Sequence, residues 1–146
     1  MEALKKWFSS NYLLLIILGI ALLMRLYHLE YQSVWLDEIT SITEANPELA
    51  WSDLELTIVT SDPHPQLYFI LLKCLFLMFG YTIYVARMFS AILGVLGVFS
   101  IYLLGKEIKN KKVGLIAAFL LAINAFHLYY SQEVRMYGLL MLFTVL

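Results

Sequence analysis

No lysine or arginine occurs between Arg25 and Lys73, yet eight of the chain's eleven acids fall there: Glu30, Asp37, Glu38, Glu44, Glu48, Asp53, Glu55 and Asp62. The opposite sign gathers in Lys106, Lys109, Lys111 and Lys112, a short stretch between apolar runs, and in Lys5 and Lys6. Charge segregated in this way orients a membrane chain, because basic loops stay on the cytoplasmic side. The acidic segment is therefore expected outside and the lysine-rich loop inside. Composition agrees, since 62% of the 146 residues are hydrophobic and 14% charged, whereas soluble domains carry about 25% charged residues. Ten Tyr, nine Phe and three Trp exclude disordered and low-complexity classes, which are short of aromatic side chains. A net charge of −1 supplies no basic field for a nucleic acid. Cys74, the only cysteine, has no intrachain partner and matches no metal-ligand spacing, so it reads as a small apolar side chain.

Tyr12 to Leu29 supplies a first span of about 27 Å at ~1.5 Å per residue. Lys5 and Lys6 could open a signal peptide, but no A-x-A cleavage pattern follows the apolar run, so an uncleaved signal anchor is expected. An outer acidic segment and an inner lysine loop demand an odd number of crossings between Asp62 and Lys106, where two apolar blocks lie. Leu67 to Phe79 carries Lys73 near its middle and reaches only about 20 Å as a helix, too short to span. It is expected as a juxtamembrane helix over 66–79 at the outer interface. The second block spans, over 84–104, with Ala86, Ser90 and Gly94 forming a small-residue stripe for close helix packing. Val113 to Tyr130 is uncharged and returns outward, its Phe126, Tyr129 and Tyr130 suiting the interface. Ser131 to Arg135 then lies outside, and a further apolar run opens at Met136.

The fold class expected is thus an all-α polytopic membrane protein with spans near 12–29, 84–104 and 113–130 and the start of one at 136, the N-terminal part of a larger chain. The outer segment between Leu29 and Gln66 is punctuated by Asn46-Pro47 and Asp62-Pro63 and is rich in Leu, Ile and Trp. It is expected to hold one or two short surface helices, starting at Ser33 and at Pro47.

Within it, Asp37 and Glu38 sit among Val34, Trp35, Leu36 and Ile39. An ordinary reading makes them solvated loop acids; an apolar frame against a membrane instead suits a carboxylate base, because desolvation raises its pKa. His64 lies between Pro63 and Pro65, which bias the backbone toward an extended turn, so it either caps the following helix or presents a fixed imidazole. Arg25, Lys73, Arg87, Glu133 and Arg135 all fall at the outer boundary of apolar segments. Single cations there commonly snorkel to headgroups, but four beside Asp37, Glu38 and Glu133 suit a substrate with a lipid tail and a phosphate head. Cations would neutralise a leaving phosphate and a carboxylate would deprotonate an incoming hydroxyl. A transporter or flippase for an anionic lipid-linked substrate satisfies most of the same constraints, and a noncatalytic membrane assembly subunit is a third class.

Four motifs stand in order: Trp35-Leu36-Asp37-Glu38, His64-Pro65-Gln66-Leu67-Tyr68, Arg87-Met88-Phe89-Ser90-Ala91 with Gly94, and Tyr130-Ser131-Gln132-Glu133-Val134-Arg135-Met136-Tyr137. Over essentially the whole chain they resemble the N-terminal part of a GT-C glycosyltransferase, in the group of protein mannosyltransferases and aminoarabinose transferases. The resemblance implies inverting transfer of a sugar from a polyprenyl-phosphate donor to a hydroxyl of a protein, lipid or glycan acceptor. It places the reaction on the extracytoplasmic face of a multi-pass protein of the bacterial inner (plasma) membrane. By the same resemblance Asp37 is the general base with Glu38 supporting it, and His64, Arg87, Glu133 and Arg135 contact substrate, Arg87 and Arg135 through phosphate. Gln66 departs from the His-Pro-Pro-Leu pattern of many relatives. Later outer loops are expected beyond these residues, so this stretch alone is expected to be inactive. Divalent metal use varies within GT-C enzymes, and no metal-site spacing is present.

Overall fold

The computed structural model describes residues 2–52 and 66–145. Among them every regular element is helical: α1 (Glu2–Leu26), α2 (Leu36–Glu44), α3 (Gln66–Phe79), α4 (Ile83–Ile108), α5 (Lys111–Ala122), α6 (Ala125–Tyr130) and α7 (Tyr137–Val145). Thr82, Asn110 and Asn124 open α4, α5 and α6, each accepting a backbone N–H from its helix's first turn, which satisfies donors the helix cannot.

Only α4 is long and apolar enough, among the described residues, to cross a membrane; Ser10–Leu26 and Gln66–Phe79 are shorter apolar helices. At 26 residues α4 is about 39 Å long at ~1.5 Å per residue. Two helices, α1 and α5, flank it and run parallel to each other. Lys111 Nζ donates to the Ser10 carbonyl at one end, and Arg25 Nη1 donates to the Ala122 carbonyl at 3.3 Å at the other. With α4 and α5 joined by the tight turn at Lys109-Asn110, α1, α4 and α5 run up, down and up.

Leu14, Ile17, Ala21, Val98, Tyr102 and Ala118 fill the core among these three helices. A second core joins α3, α4 and α7 through Tyr68, Leu72, Phe76, Leu93 and Leu139. α3 folds back along the first turns of α4, where Tyr68 and Ser90 hydroxyls meet at 3.1 Å. Large apolar side chains such as Leu23, Ile108, Ile116 and Phe143 stay on the outside of the bundle, far more than a water-facing surface ordinarily shows.

Three boundaries differ from the sequence expectation. The stretch 113–130 is two helices, because Asn124 caps α6 and Arg25 takes the carbonyl that ends α5. α1 ends at Leu26 rather than Leu29, its chain turning through His28 at φ 53°. α2 starts at Leu36 rather than Ser33, because Glu38 reaches back to accept from the Trp35 N–H at 3.3 Å, half of a capping box.

Gly94, at the deep end of the expected small-residue stripe, lets the polar end of the bundle close. A Cβ there would lie 2.6 Å from Ser131 Cβ and 2.9 Å from Arg25 Nε. Gly94→Ala is therefore expected to cost about 1–3 kcal/mol, the range for overpacking, and to displace the segment after α6; thermal unfolding of the purified full-length protein measures it. Gly105 and Gly114 play the same part where α4 crosses α5, a Cβ on Gly105 coming within 2.9 Å of Gly114 Cα.

Candidate active site

Successive residues of a helix point about 100° apart, so adjacent acids at the start of α2 face different surroundings. Asp37 is exposed, whereas Glu38 is 1% exposed. Glu38 accepts from Arg87 through both carboxylate oxygens, Nε at 3.0 Å and Nη2 at 2.7 Å. It also accepts from the Trp35 N–H and from the Val134 N–H at 3.0 Å. One carboxylate thus holds α2, α4 and the segment after α6 together.

Arg87 is equally committed. Nη1 donates to the Leu29 and Gln32 carbonyls at 2.8 and 3.0 Å, and Nη2 reaches the Ser33 carbonyl at 3.5 Å. Guanidinium has five N–H donors, and these contacts with Glu38 occupy all of them. In this arrangement Arg87 offers nothing to a phosphate and instead ties the chain leaving α1 to α4.

The segment 131–136 is anchored at its first two residues. Ser131 Oγ donates to the His127 carbonyl at 2.5 Å. Gln132 Nε2 donates to the Arg25 and Tyr27 carbonyls, both at 3.0 Å, filling acceptors left open at the end of α1. Arg25, fully buried, bonds through Nη2 to His127 Nδ1 at 2.6 Å and through Nη1 to the Ala21 carbonyl at 2.9 Å. With Val134 buried and its N–H on Glu38, the residues on either side, Glu133 and Arg135, line a cavity of about 140 Å³ together with Trp35, Leu36, Asp37 and Glu38.

Asp37 and Arg135 are the underused groups of this cavity. Among the described residues the Asp37 carboxylate has no hydrogen-bond partner. Arg135 is 8% exposed, yet it makes only long contacts through Nη1, to the Asp37 carbonyl at 3.4 Å and to Ser41 Oγ at 3.3 Å. Its buried Nε–H has no partner among the described residues. A buried donor left open costs about 1–3 kcal/mol.

Burial raises the Glu133 carboxyl above its ordinary value; Glu38 and Asp37 add to the shift, while Tyr129 and Arg135 draw it back. A carboxyl whose folded pKa is raised stabilises the fold below its unfolded pKa and loses that contribution as pH rises through the folded one. Glu133→Gln is therefore expected to raise the melting temperature at neutral pH and to match the wild type once both side chains are neutral. Thermal scans from about pH 3 to about pH 8 check this against the ordinary carboxylate range.

Of the other residues singled out, His64 lies outside the described residues. Lys73 is buried rather than extended toward headgroups, donating to the Leu49 carbonyl and lying 4.9 Å from the Trp51 ring centroid. Ser41, Glu44, His127, Ser131 and Gln132 were not anticipated. Ser131 and Gln132 stand inside a motif that was, so the signal for them was present; Ser41 and Glu44 are visible only as the residues one and two turns beyond Glu38. Among the described residues, no group of three or more His, Cys, Asp or Glu side chains is placed to hold a metal ion. A larger cavity of about 450 Å³ lies across the 131–136 segment, walled by Phe126, His127, Tyr130, Tyr137 and Met141 among others.

No curated protein and no solved structure matches the chain. Residues 63–146 match the model of a family described as dolichyl-phosphate-mannose-protein mannosyltransferase. That match covers Arg87, Glu133 and Arg135 and leaves the acid pair of α2 outside it. Carrying more than half of the sequence on that match, the chain belongs to the dolichyl-phosphate-mannose-protein mannosyltransferase family of GT-C membrane glycosyltransferases.

Proposed function

We propose that these residues form the extracytoplasmic reaction site of an inverting glycosyltransferase that takes its sugar from a polyprenyl phosphate. The observation that carries this reading is the division of labour at one cavity. Glu38 and Arg87 satisfy each other, while Asp37 and Arg135 line the same space, with the Asp37 carboxylate and the Arg135 Nε–H unpaired among the described residues.

The chemistry follows from those two free groups. The acceptor hydroxyl gives its proton to the Asp37 carboxylate as its oxygen attacks the anomeric carbon. The bond from that carbon to the phosphate oxygen breaks, and the departing polyprenyl phosphate keeps the electron pair. Arg135 meets the charge that develops there, and Glu133 orients the donor or acceptor. Arg87 is a positioning residue in this scheme, holding Glu38 and so the start of α2. His64 keeps its assignment as a substrate contact on sequence grounds. The aromatic cavity beyond the 131–136 segment suits the first prenyl units of the donor.

The length and apolar character of α4 support the membrane placement. Its ~39 Å exceeds a hydrocarbon core of about 30 Å, so its first turns, with Arg87 and the packed α3, stand at the outer interface and the rest crosses. The apolar lengths of α1 and of α5 continued by α6 support crossings beside it, in a multi-pass protein of the plasma membrane and, for a bacterial host, the inner membrane. The acceptor is a protein, lipid or glycan hydroxyl reached from the same side.

The test is a transfer assay on the reconstituted full-length protein with polyprenyl-phosphate hexose or pentose. Sugar should move to an acceptor with release of polyprenyl phosphate, and a nucleotide sugar should not substitute. Movement of the donor across the bilayer with no sugar transferred contradicts the reading.

A further inference from the structure

The buried face of α2 carries three polar side chains one turn apart, Glu38, Ser41 and Glu44, at 1%, 1% and 5% exposure. Glu38 has Arg87. Ser41 Oγ donates to the Asp37 carbonyl at 3.1 Å and accepts from Arg135. Among the described residues Glu44 has no such partner, and its buried Oε2 accepts no hydrogen bond. Residues three apart on a helix lie side by side, so the Glu44 carboxylate sits one turn beyond the hydroxyl that holds Arg135. Arg135 in turn has a buried Nε–H with no partner among the described residues.

An unpaired buried acid next to an incompletely paired buried cation is costly for both, and the Arg135 charge already acts on the Glu44 carboxyl, opposing the upward shift that burial gives it. We infer that Glu44 is a positioning residue for Arg135: its charge, acting across one helix turn without a direct bond, draws the guanidinium to the Ser41 side of α2 and so keeps its remaining N–H groups available to the donor phosphate. This deepens the proposed function and rests on it for the identity of the anion; the link between the two residues rests on Ser41, which lies one turn before Glu44 on the buried face of α2 and accepts from Arg135. In chemical terms α2 then works as a two-carboxylate rack, Glu38 fixing the Arg87 of α4 and Glu44 steadying the Arg135 that follows α6, with Asp37 free on the other face.

Two measurements on the full-length protein test it. In the first, Glu44→Gln keeps size and shape and removes the charge. The KM for polyprenyl-phosphate sugar should rise about threefold to tenfold, the loss of one charge acting on Arg135 across a helix turn, with kcat changed far less, and Glu44→Asp should recover part of it. A purely structural role would lower the amount of active protein and leave KM alone, so an unchanged KM in Glu44→Gln overturns the inference. In the second, thermal unfolding of Glu44→Gln, Arg135→Gln and the double variant needs no turnover. Coupling between the two substitutions supports the pairing even where no sugar is transferred, and strict additivity overturns it. Absence of transfer by the wild type together with coupling would remove the proposed function and leave the Glu44–Arg135 pair standing.

Discussion

Glu38→Ala is expected to destabilise the protein by about 3–5 kcal/mol, the usual result of stripping one partner from a buried ion pair. Arg87 is 3% exposed and would lose two of its hydrogen bonds, while the Val134 and Trp35 N–H groups would lose their acceptor. Since whole domains are stable by only about 5–15 kcal/mol, much of the protein should fail to accumulate. Arg87→Ala should be similarly severe. Replacing both residues by apolar ones of like volume should recover part of the stability, because the penalty comes from the orphaned charge more than from the lost attraction. Melting temperatures of the two single variants and the double variant, in one detergent, give the cycle. A mild effect of Glu38→Ala alone would show that the pair does not hold α2 to α4.

One residue earlier the expectation reverses. Asp37→Asn removes no hydrogen bond among the described residues, where the exposed carboxylate makes none, and stability should stay within about 0.5 kcal/mol of the wild type. Transfer should fall by about 10²–10⁴-fold, the usual contribution of a general base, because an amide cannot take the acceptor's proton. The donor KM should change little, since Arg135 and the apolar walls are untouched. Neighbouring acids would then show opposite phenotypes, loss of the fold at Glu38 and loss of turnover at Asp37. Wild-type turnover in Asp37→Asn would remove it as the base.

Much of this site was legible from residue type and order. Acids without intervening cations, set against a lysine cluster, placed Asp37, Arg87, Glu133 and Arg135 at one end of the chain's apolar segments, and the bundle brings them to one end. Gly94 was legible as a packing residue from its spacing with Ala86 and Ser90. The partner of Arg87 was not. A cation at an apolar boundary looks alike whether it will meet a phosphate or a carboxylate of its own chain, and only tertiary contact with Glu38 decides. The break at Asn124 was hidden for a related reason: counting charges passes over an uncharged amide, although an Asn within an apolar run is a ready helix cap. Glu44 went unnoticed because an acid in an acidic segment carries no signal until burial sets it apart.

The most direct test of the account is whether the Asp37 cavity opens to the outside and takes the donor. In full-length protein with Cys74, exposed and the only thiol of these residues, replaced by Ala, Asp37→Cys should react with a membrane-impermeant thiol reagent added to intact cells. Saturating polyprenyl-phosphate sugar should slow that reaction. Labelling only after the membrane is permeabilised, or labelling indifferent to the donor, would contradict it.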